Sequence, residues 1–128
     1  MPTTFPDDRR YSREHEWVRV EGTTAVIGIT SFAADELGDI VYVELPAVGA
    51  RLTQFGAFGV VESVKAVSDL FAPISGAVTE VNGELGASPE LLNTDPFGAG
   101  WIAKVSLADS SELDKLLDAG SYAELTAG

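Results

Sequence analysis

The 128-residue chain predicts a single mostly β domain, a compact antiparallel sandwich or barrel of short strands with short helices and a helical tail. Short runs rich in Val, Ile and aromatic residues recur along the sequence. Gly and Pro interrupt them at close intervals, and helical spacing becomes clear only near the C-terminus. At this length one core buries about two-thirds of the unfolded chain's surface, so neither a disulfide nor a metal is needed to hold it.

The elements follow in order. Residues 1–10 contain Pro2, Pro6, Asp7 and Asp8 without an apolar run and are expected to form a loose leader. The β domain is expected over 11–107. Trp17, Val18 and Val20 lead into Glu21-Gly22, after which Ala25 to Ile29 is apolar and β-branched, a hairpin signal. Ser31 to Leu37 reads as a short helix with Thr30 or Ser31 as N-cap and Gly38 as its stop. Ile40 to Leu45 is a strand ending at Pro46, and Arg51-Leu52 a short edge strand. Phe58 to Val64, Val67 to Ala72 and Ala77 to Val81 are further strands. Ser88-Pro89-Glu90 has the form of an N-cap with Pro at the first helical position, opening a helix to Asn93. Trp101 to Leu107 is the last strand, with Trp101, Ala103, Val105 and Leu107 on one face and Lys104 on the other. Residues 108–128 are expected to pack on the same domain as a helical segment. There Ser111 to Asp114 resembles a capping box, Leu113, Leu116 and Leu117 form an apolar stripe, Gly120 ends the helix, and Ser121 to Glu124 opens another turn.

Charge narrows the functional classes. Eight Lys and Arg stand against 20 Asp and Glu, a formal net charge of −12 that repels phosphate backbones and anionic lipid. Nucleic acid and membrane are therefore not expected as partners, whereas basic protein surfaces are. Cysteine is absent, so any sulfur redox chemistry must come from a cofactor. The opening residues lack a secretory h-region and are short and acidic for a transit peptide, so a cytoplasmic location is the expectation. His15, the single histidine, lies beside Glu14 and Glu16 without metal-ligand spacing, and no GxGxxG precedes a helix. A structural or surface role is expected of His15, and packing roles of Trp17, Trp101 and Phe71.

Among the three lysines, Lys104 and Lys115 read as solvated outward residues, and Lys65 stands apart. Folding the run Val60 to Phe71 about Lys65-Ala66 places Val64 opposite Val67, Ser63 opposite Ser68, Glu62 opposite Asp69, Val61 opposite Leu70 and Val60 opposite Phe71. Lys-Ala is poor chemistry for a two-residue hairpin loop, and facing carboxylates oppose the ladder. Such joint rule-breaking marks a candidate functional site. The expectation is a lysine presented at a turn tip between carboxylates, which keep it charged and make it a poor nucleophile but an accessible target for modification. The competing reading is an ordinary solvated lysine.

The run Glu62-Ser63-Val64-Lys65-Ala66-Val67-Ser68-Asp69-Leu70-Phe71-Ala72-Pro73-Ile74-Ser75-Gly76 closely resembles the lipoyl-lysine segment of the glycine cleavage H-protein family. The likeness extends to Tyr11, Glu14 to Trp17, Val26 to Thr30, Leu37 to Pro46 and Gly49. It continues in Pro89 to Asn93, Asp95 to Gly98, Gly100-Trp101 and Leu116 to Ala119. It implies a lipoyl/biotinyl-type flattened barrel-sandwich, and a non-catalytic carrier with lipoate amide-linked to Lys65. Around that lysine it implies an attachment motif formed by Glu62, Ser63, Val64, Ala66, Ser68 and Asp69.

In the family's cycle the carrier takes the aminomethyl group of glycine from a pyridoxal-phosphate glycine decarboxylase (P protein) to a tetrahydrofolate-dependent aminomethyltransferase (T protein). A dihydrolipoyl dehydrogenase (L protein) then reoxidises it. A lipoate ligase or a lipoyl or octanoyl transferase loads it, and a monomer is expected. The resemblance also makes Glu16 and Asp69 candidates for holding the loaded arm in a surface cleft. This chain departs from the pattern at Val67, where a small residue is common, and at Phe71 and Phe97, where Tyr is. It also has no histidine in the Ser31 to Leu37 helix.

Three other readings compete. Lipoyl domains of 2-oxo acid dehydrogenases and biotinyl carriers usually place Asp or Met beside the lysine, against Val64 and Ala66 here. An enzyme using Glu62 and Asp69 as an acid-base pair has no evident pocket or metal. An H-like acceptor or donor in lipoate assembly has the same attachment motif and differs only in its partners.

Overall fold

The computed structural model describes residues 5–127. Within them the strands form two antiparallel sheets that do not close into a barrel. In chain order the elements are β1 (Arg10–Tyr11), β2 (Glu16–Glu21), β3 (Thr24–Ile29), α1 (Ser31–Leu37), β4 (Ile40–Glu44) and β5 (Arg51–Leu52). They continue with β6 (Ala57–Ser63), β7 (Val67–Phe71), β8 (Gly76–Val81), α2 (Glu84–Ala87), α3 (Leu91–Thr94) and β9 (Ala103–Leu107). A 3-10 helix (Ser110–Lys115) and α4 (Ala119–Ala127) follow. One sheet runs β1-β2-β3-β9-β8-β5 and the other β4-β6-β7.

The main core lies between the sheets. Val18, Ala25, Ile27 and Ile29 of the larger sheet pack in one buried cluster with Val43, Val61 and Leu70 of the smaller. The continuous apolar run in β3 has a second use. Val26 points to the opposite face and joins Phe5, Tyr11, Trp17 and Tyr122 in a separate aromatic cluster. That is why β3 is buried on both sides.

α1 begins and ends where expected. Thr30 caps it, its hydroxyl accepting the Ala33 N–H, and Gly38 follows as C-cap at φ 81°. The short helix α2 was not expected, because its four residues contain Gly86 and no apolar period. α3 starts at Leu91, two residues after Pro89, and its cap residue Glu90 makes no side-chain bond to it.

The two ends of the chain differ from expectation. Of the expected loose leader, residues 1–4 lie outside the described residues. Phe5 is buried against Tyr11 and Tyr122, and Arg10 already belongs to β1. The Arg9 guanidinium lies 4.6 Å from the Trp17 ring centroid and donates to the Phe97 carbonyl.

The tail is not one helix ended by Gly120. Asp109, not Ser111, caps a 3-10 helix, accepting the Ser111 N–H at 3.0 Å. Leu117 then exchanges both backbone hydrogen bonds with Tyr11, at 2.8 and 2.7 Å. This bridge competes with helix and pulls the chain straight. Asp118 restarts it by accepting the Ser121 N–H, and α4 runs through Gly120. Trp101 likewise precedes β9 instead of sharing its inner face; its ring lies 5.2 Å from the Lys104 ammonium.

Candidate functional site

The β6–β7 hairpin carries the candidate lysine, and its register differs from the mirror pattern. Glu62 pairs with Val67, Val61 with Ser68, Val60 with Asp69 and Gly59 with Leu70. Glu62 and Asp69 therefore do not face each other. Both registers would put Val61 and Leu70 inward, so burial does not choose between them. The turn chooses. Ser63 N–H donates to the Ala66 carbonyl at 2.8 Å, while the Ser63 hydroxyl accepts the N–H of Ala66 at 3.1 Å and of Lys65 at 3.3 Å. This serine-based turn supplies the local bonds that Lys-Ala lacks and centres the loop on Val64-Lys65. It also removes the facing carboxylate pair. Val64 N–H donates to the Asp39 carbonyl at 3.0 Å, tying the turn to the chain between α1 and β4.

Lys65 sits exposed at this tip with Val64 and Ala66, and among the described residues it makes no ion pair. The other attachment-motif residues divide by face. Ser63 points inward and is buried, with Ser68 half-buried on that side, while Glu62 and Asp69 lie on the outer face.

That outer face is built of two cross-strand rows, Tyr42–Glu62–Val67 and Glu44–Val60–Asp69. Tyr42 is 51% exposed, Val67 67% and Val64 72%, so apolar surface collects around the lysine with carboxylates beside it. The sequence offered a signal for Tyr42. It lies two residues from Glu44, and strand alternation puts both on the solvent side.

Glu16 and Asp69, the two arm-cleft candidates, occupy different environments. Glu16 is 3% exposed at the start of β2. Its carboxyl accepts from the Ser12 hydroxyl at 2.8 Å and from the Phe71 N–H at 3.1 Å, linking the larger sheet to the end of β7. Burial pushes its pKa up to about 8. Phe71 lines a cavity of about 360 Å³ with Arg13, Glu14, Phe55 and Lys115. Asp69 is exposed and borders a separate groove of about 500 Å³ between β4, β5 and β6. Sequence reading did not bring Phe55, Arg13 or Lys115 to this region, because they come from three segments far apart in the chain that meet only as the lining of this cavity.

His15 adopts φ 75° and its Nδ1 lies 2.7 Å from the Tyr122 hydroxyl, which also meets Thr30 Oγ1 at 2.7 Å. Burial holds its pKa below the ordinary histidine value. Trp17 is buried and donates through Nε1 to the Pro96 carbonyl. Among the described residues no cluster of His, Asp and Glu could hold a metal ion, and no helix is long and apolar enough to cross a membrane.

The family model for the glycine cleavage H-protein matches residues 9–127. The glycine cleavage system H protein of Symbiobacterium thermophilum is 60% identical over 121 residues, covering 94% of each chain. The probable glycine cleavage system H protein of Haloarcula marismortui is 60% identical over 122 residues, covering 95% of this chain and 96% of that one. A crystal structure of a glycine cleavage system H protein from Mycobacterium marinum superimposes with a TM-score of 0.89 at 40% identity, covering 97% of this chain and all of the other. The chain belongs to the glycine cleavage H-protein family.

Proposed function

We propose that Lys65 carries lipoate in amide linkage and that the chain works without catalytic residues of its own. Family membership makes it a carrier component of the glycine cleavage system. The observation that carries the lipoate reading is the exposed Lys65, without an ion pair among the described residues, on a turn fixed by Ser63. The residues fit the group: the ammonium is reachable, among the described residues no carboxylate pairs with it, and a chain without cysteine brings no competing thiol. When attached, lipoate supplies a disulfide that can take up the aminomethyl group of glycine and be restored by oxidation.

The protein's own residues present and recognise. Ser63 holds the turn so that Lys65 projects from a rigid hairpin instead of a loose loop. Glu62 and Asp69 on the outer face, with Val64, Ala66 and Ser68 about the tip, form the surface a lipoate ligase or an octanoyl or lipoyl transferase would read. The same acidic face suits docking by the P, T and L proteins through basic surfaces, and tethering raises the effective concentration at each in turn. Asp69, exposed, is the carboxylate available to a cationic loaded arm. Glu16, neutral below about pH 8, holds the backbone behind the Phe71 cavity. A monomeric cytoplasmic carrier is consistent with these roles.

The test is reconstitution. Loaded chain is mixed with glycine decarboxylase, aminomethyltransferase, dihydrolipoyl dehydrogenase, tetrahydrofolate and NAD+, and glycine-dependent NADH formation is followed. Turnover that requires the lipoylated wild type supports glycine cleavage. A chain that loads with lipoate yet sustains no turnover would favour the lipoate-relay role instead.

A further inference from the structure

The segment joining α1 to β4 forms a seat for the lysine. Gly38 ends α1 with φ 81° and ψ −157°, a conformation essentially reserved for glycine. A Cβ placed on it would lie 3.4 Å from Lys65 Cε and 3.9 Å from Cδ, ordinary van der Waals distances, so the lysine stem lies beside this residue. A substitution would disturb the stem through the glycine-only backbone and not through a clash. The next carbonyl, Asp39, accepts the Val64 N–H at 3.0 Å. Both central residues of the turn thus rest on two consecutive residues of one segment.

That segment is itself clamped. Asn93 of α3 accepts the Ile40 N–H through Oδ1 at 2.9 Å and donates through Nδ2 to the Gly38 carbonyl at 2.9 Å. One side-chain amide therefore fixes the backbone on either side of Asp39. A lysine at a free turn tip samples many rotamers and loses that freedom when an enzyme docks on it. Here the stem is laid against a backbone surface before docking.

We propose that Gly38 is a positioning residue for acylation of Lys65, with Asn93 holding Gly38 in place. The backbone path that only glycine allows at this position sets the surface beside the lysine stem and orients Nζ toward the acylating enzyme. In the reaction a bond forms between Nζ and the carboxyl carbon of lipoyl adenylate, made from lipoate and ATP. Pyrophosphate has left when the adenylate formed. The Lys65 ammonium gives one proton to solvent to free the attacking lone pair. The bond from that carbon to the adenylate oxygen breaks, adenosine monophosphate leaves, and Nζ gives up a second proton as the amide forms. This inference rests on Lys65 being the modification site.

The experiment compares wild type, Gly38→Ala, Asn93→Ala and Gly22→Ala in ligation by a lipoate ligase with lipoate and ATP, below the melting temperature of each. Gly22 is the control, because it has φ +65° and open space where a Cβ would go. Nuclear Overhauser contacts between Gly38 Hα and Lys65 Hε are recorded on unmodified wild type. The expected result is a Gly38–Lys65 contact in wild type and a fall in kcat/KM of about fivefold in Gly38→Ala, the size of ordering one long side chain afresh. Gly22→Ala should stay within about twofold. A folded Gly38→Ala that ligates like wild type would overturn the proposal, as would absence of the contact. If Gly38→Ala does not fold, Asn93→Ala decides: loss of the contact with slower ligation supports the seat, and no change in either overturns it. Failure of wild type to ligate at all would sink the modification reading, and the contact would still report separately on the seat.

Discussion

Ser63 and Ala66 close the turn that bears Lys65. The Ser63 N–H donates to the Ala66 carbonyl at 2.8 Å, and the Ser63 hydroxyl accepts the Ala66 N–H at 3.1 Å. Strand alternation permits two registers for this hairpin, and these bonds select one.

Ser63→Ala should therefore loosen the tip more than the sheet. Loss of the hydroxyl leaves the Lys65 and Ala66 amides without their partner, a cost of about 1 kcal/mol. Urea unfolding reads that cost. Amide exchange should quicken at Lys65 and Ala66 and stay unchanged at Val61 and Leu70. Equal acceleration across the whole hairpin would show that the serine does not act locally.

The same residues mark what was legible beforehand. Strands β2 to β9, α1 with its Thr30 and Gly38 boundaries, and Lys65 at a turn all follow from local pattern. The hairpin register did not, because a shift of two positions keeps Val61 and Leu70 inward and only the Ser63 hydroxyl separates the alternatives. The tail was misread for a different reason. The Tyr11–Leu117 bridge is a contact between the two ends of the chain, and no local window contains it. Glu16 was legible only as an arm-cleft candidate, by resemblance, and not as a buried carboxyl. Its burial depends on Ser12 and on Phe71, 55 residues away.

Glu16 makes stability depend on pH. Burial raises its folded pKa from 4.5 to about 8. Below pH 4.5 both folded and unfolded chains hold the proton. Between that value and about 8 the folded chain keeps a proton the unfolded chain has released, so stability falls as pH rises, and above about 8 it levels. Glu16→Gln stays neutral and keeps an oxygen to accept the Phe71 N–H. Its stability relative to wild type should rise between pH 5 and pH 9 in urea titrations. Parallel curves for the two proteins would contradict a buried, proton-holding carboxyl.

Tyr122→Phe removes the hydroxyl shared by Thr30 and His15, each 2.7 Å away. The ring is fully buried against Phe5 and Tyr11, so its packing remains while two polar partners lose their bond. The expected cost is about 1–3 kcal/mol, read as a lowered Tm. Lipoate loading below that Tm should be unchanged, since the residues of this cluster are separate from those that form the Lys65 turn. A stable variant would mean that water replaces the hydroxyl.

The acidic outer face gives a salt-dependent expectation. Partner docking through Glu44, Glu62 and Asp69 should weaken as ionic strength rises. Changing Glu62 and Asp69 together to Gln should raise the KM for a partner enzyme at low salt, with little effect at high salt. An identical loss at both ionic strengths would point to shape recognition instead of charge.

The central claim is that Lys65 is the acylated residue, and intact mass before and after incubation with lipoate ligase, ATP and lipoate tests it most directly. Wild type should gain one lipoyl amide, mapped by peptide sequencing to Lys65, while Lys65→Arg should fold with an unchanged Tm and gain nothing. A lipoyl group on Lys65→Arg, or no gain on wild type under conditions that load another carrier, would contradict the account.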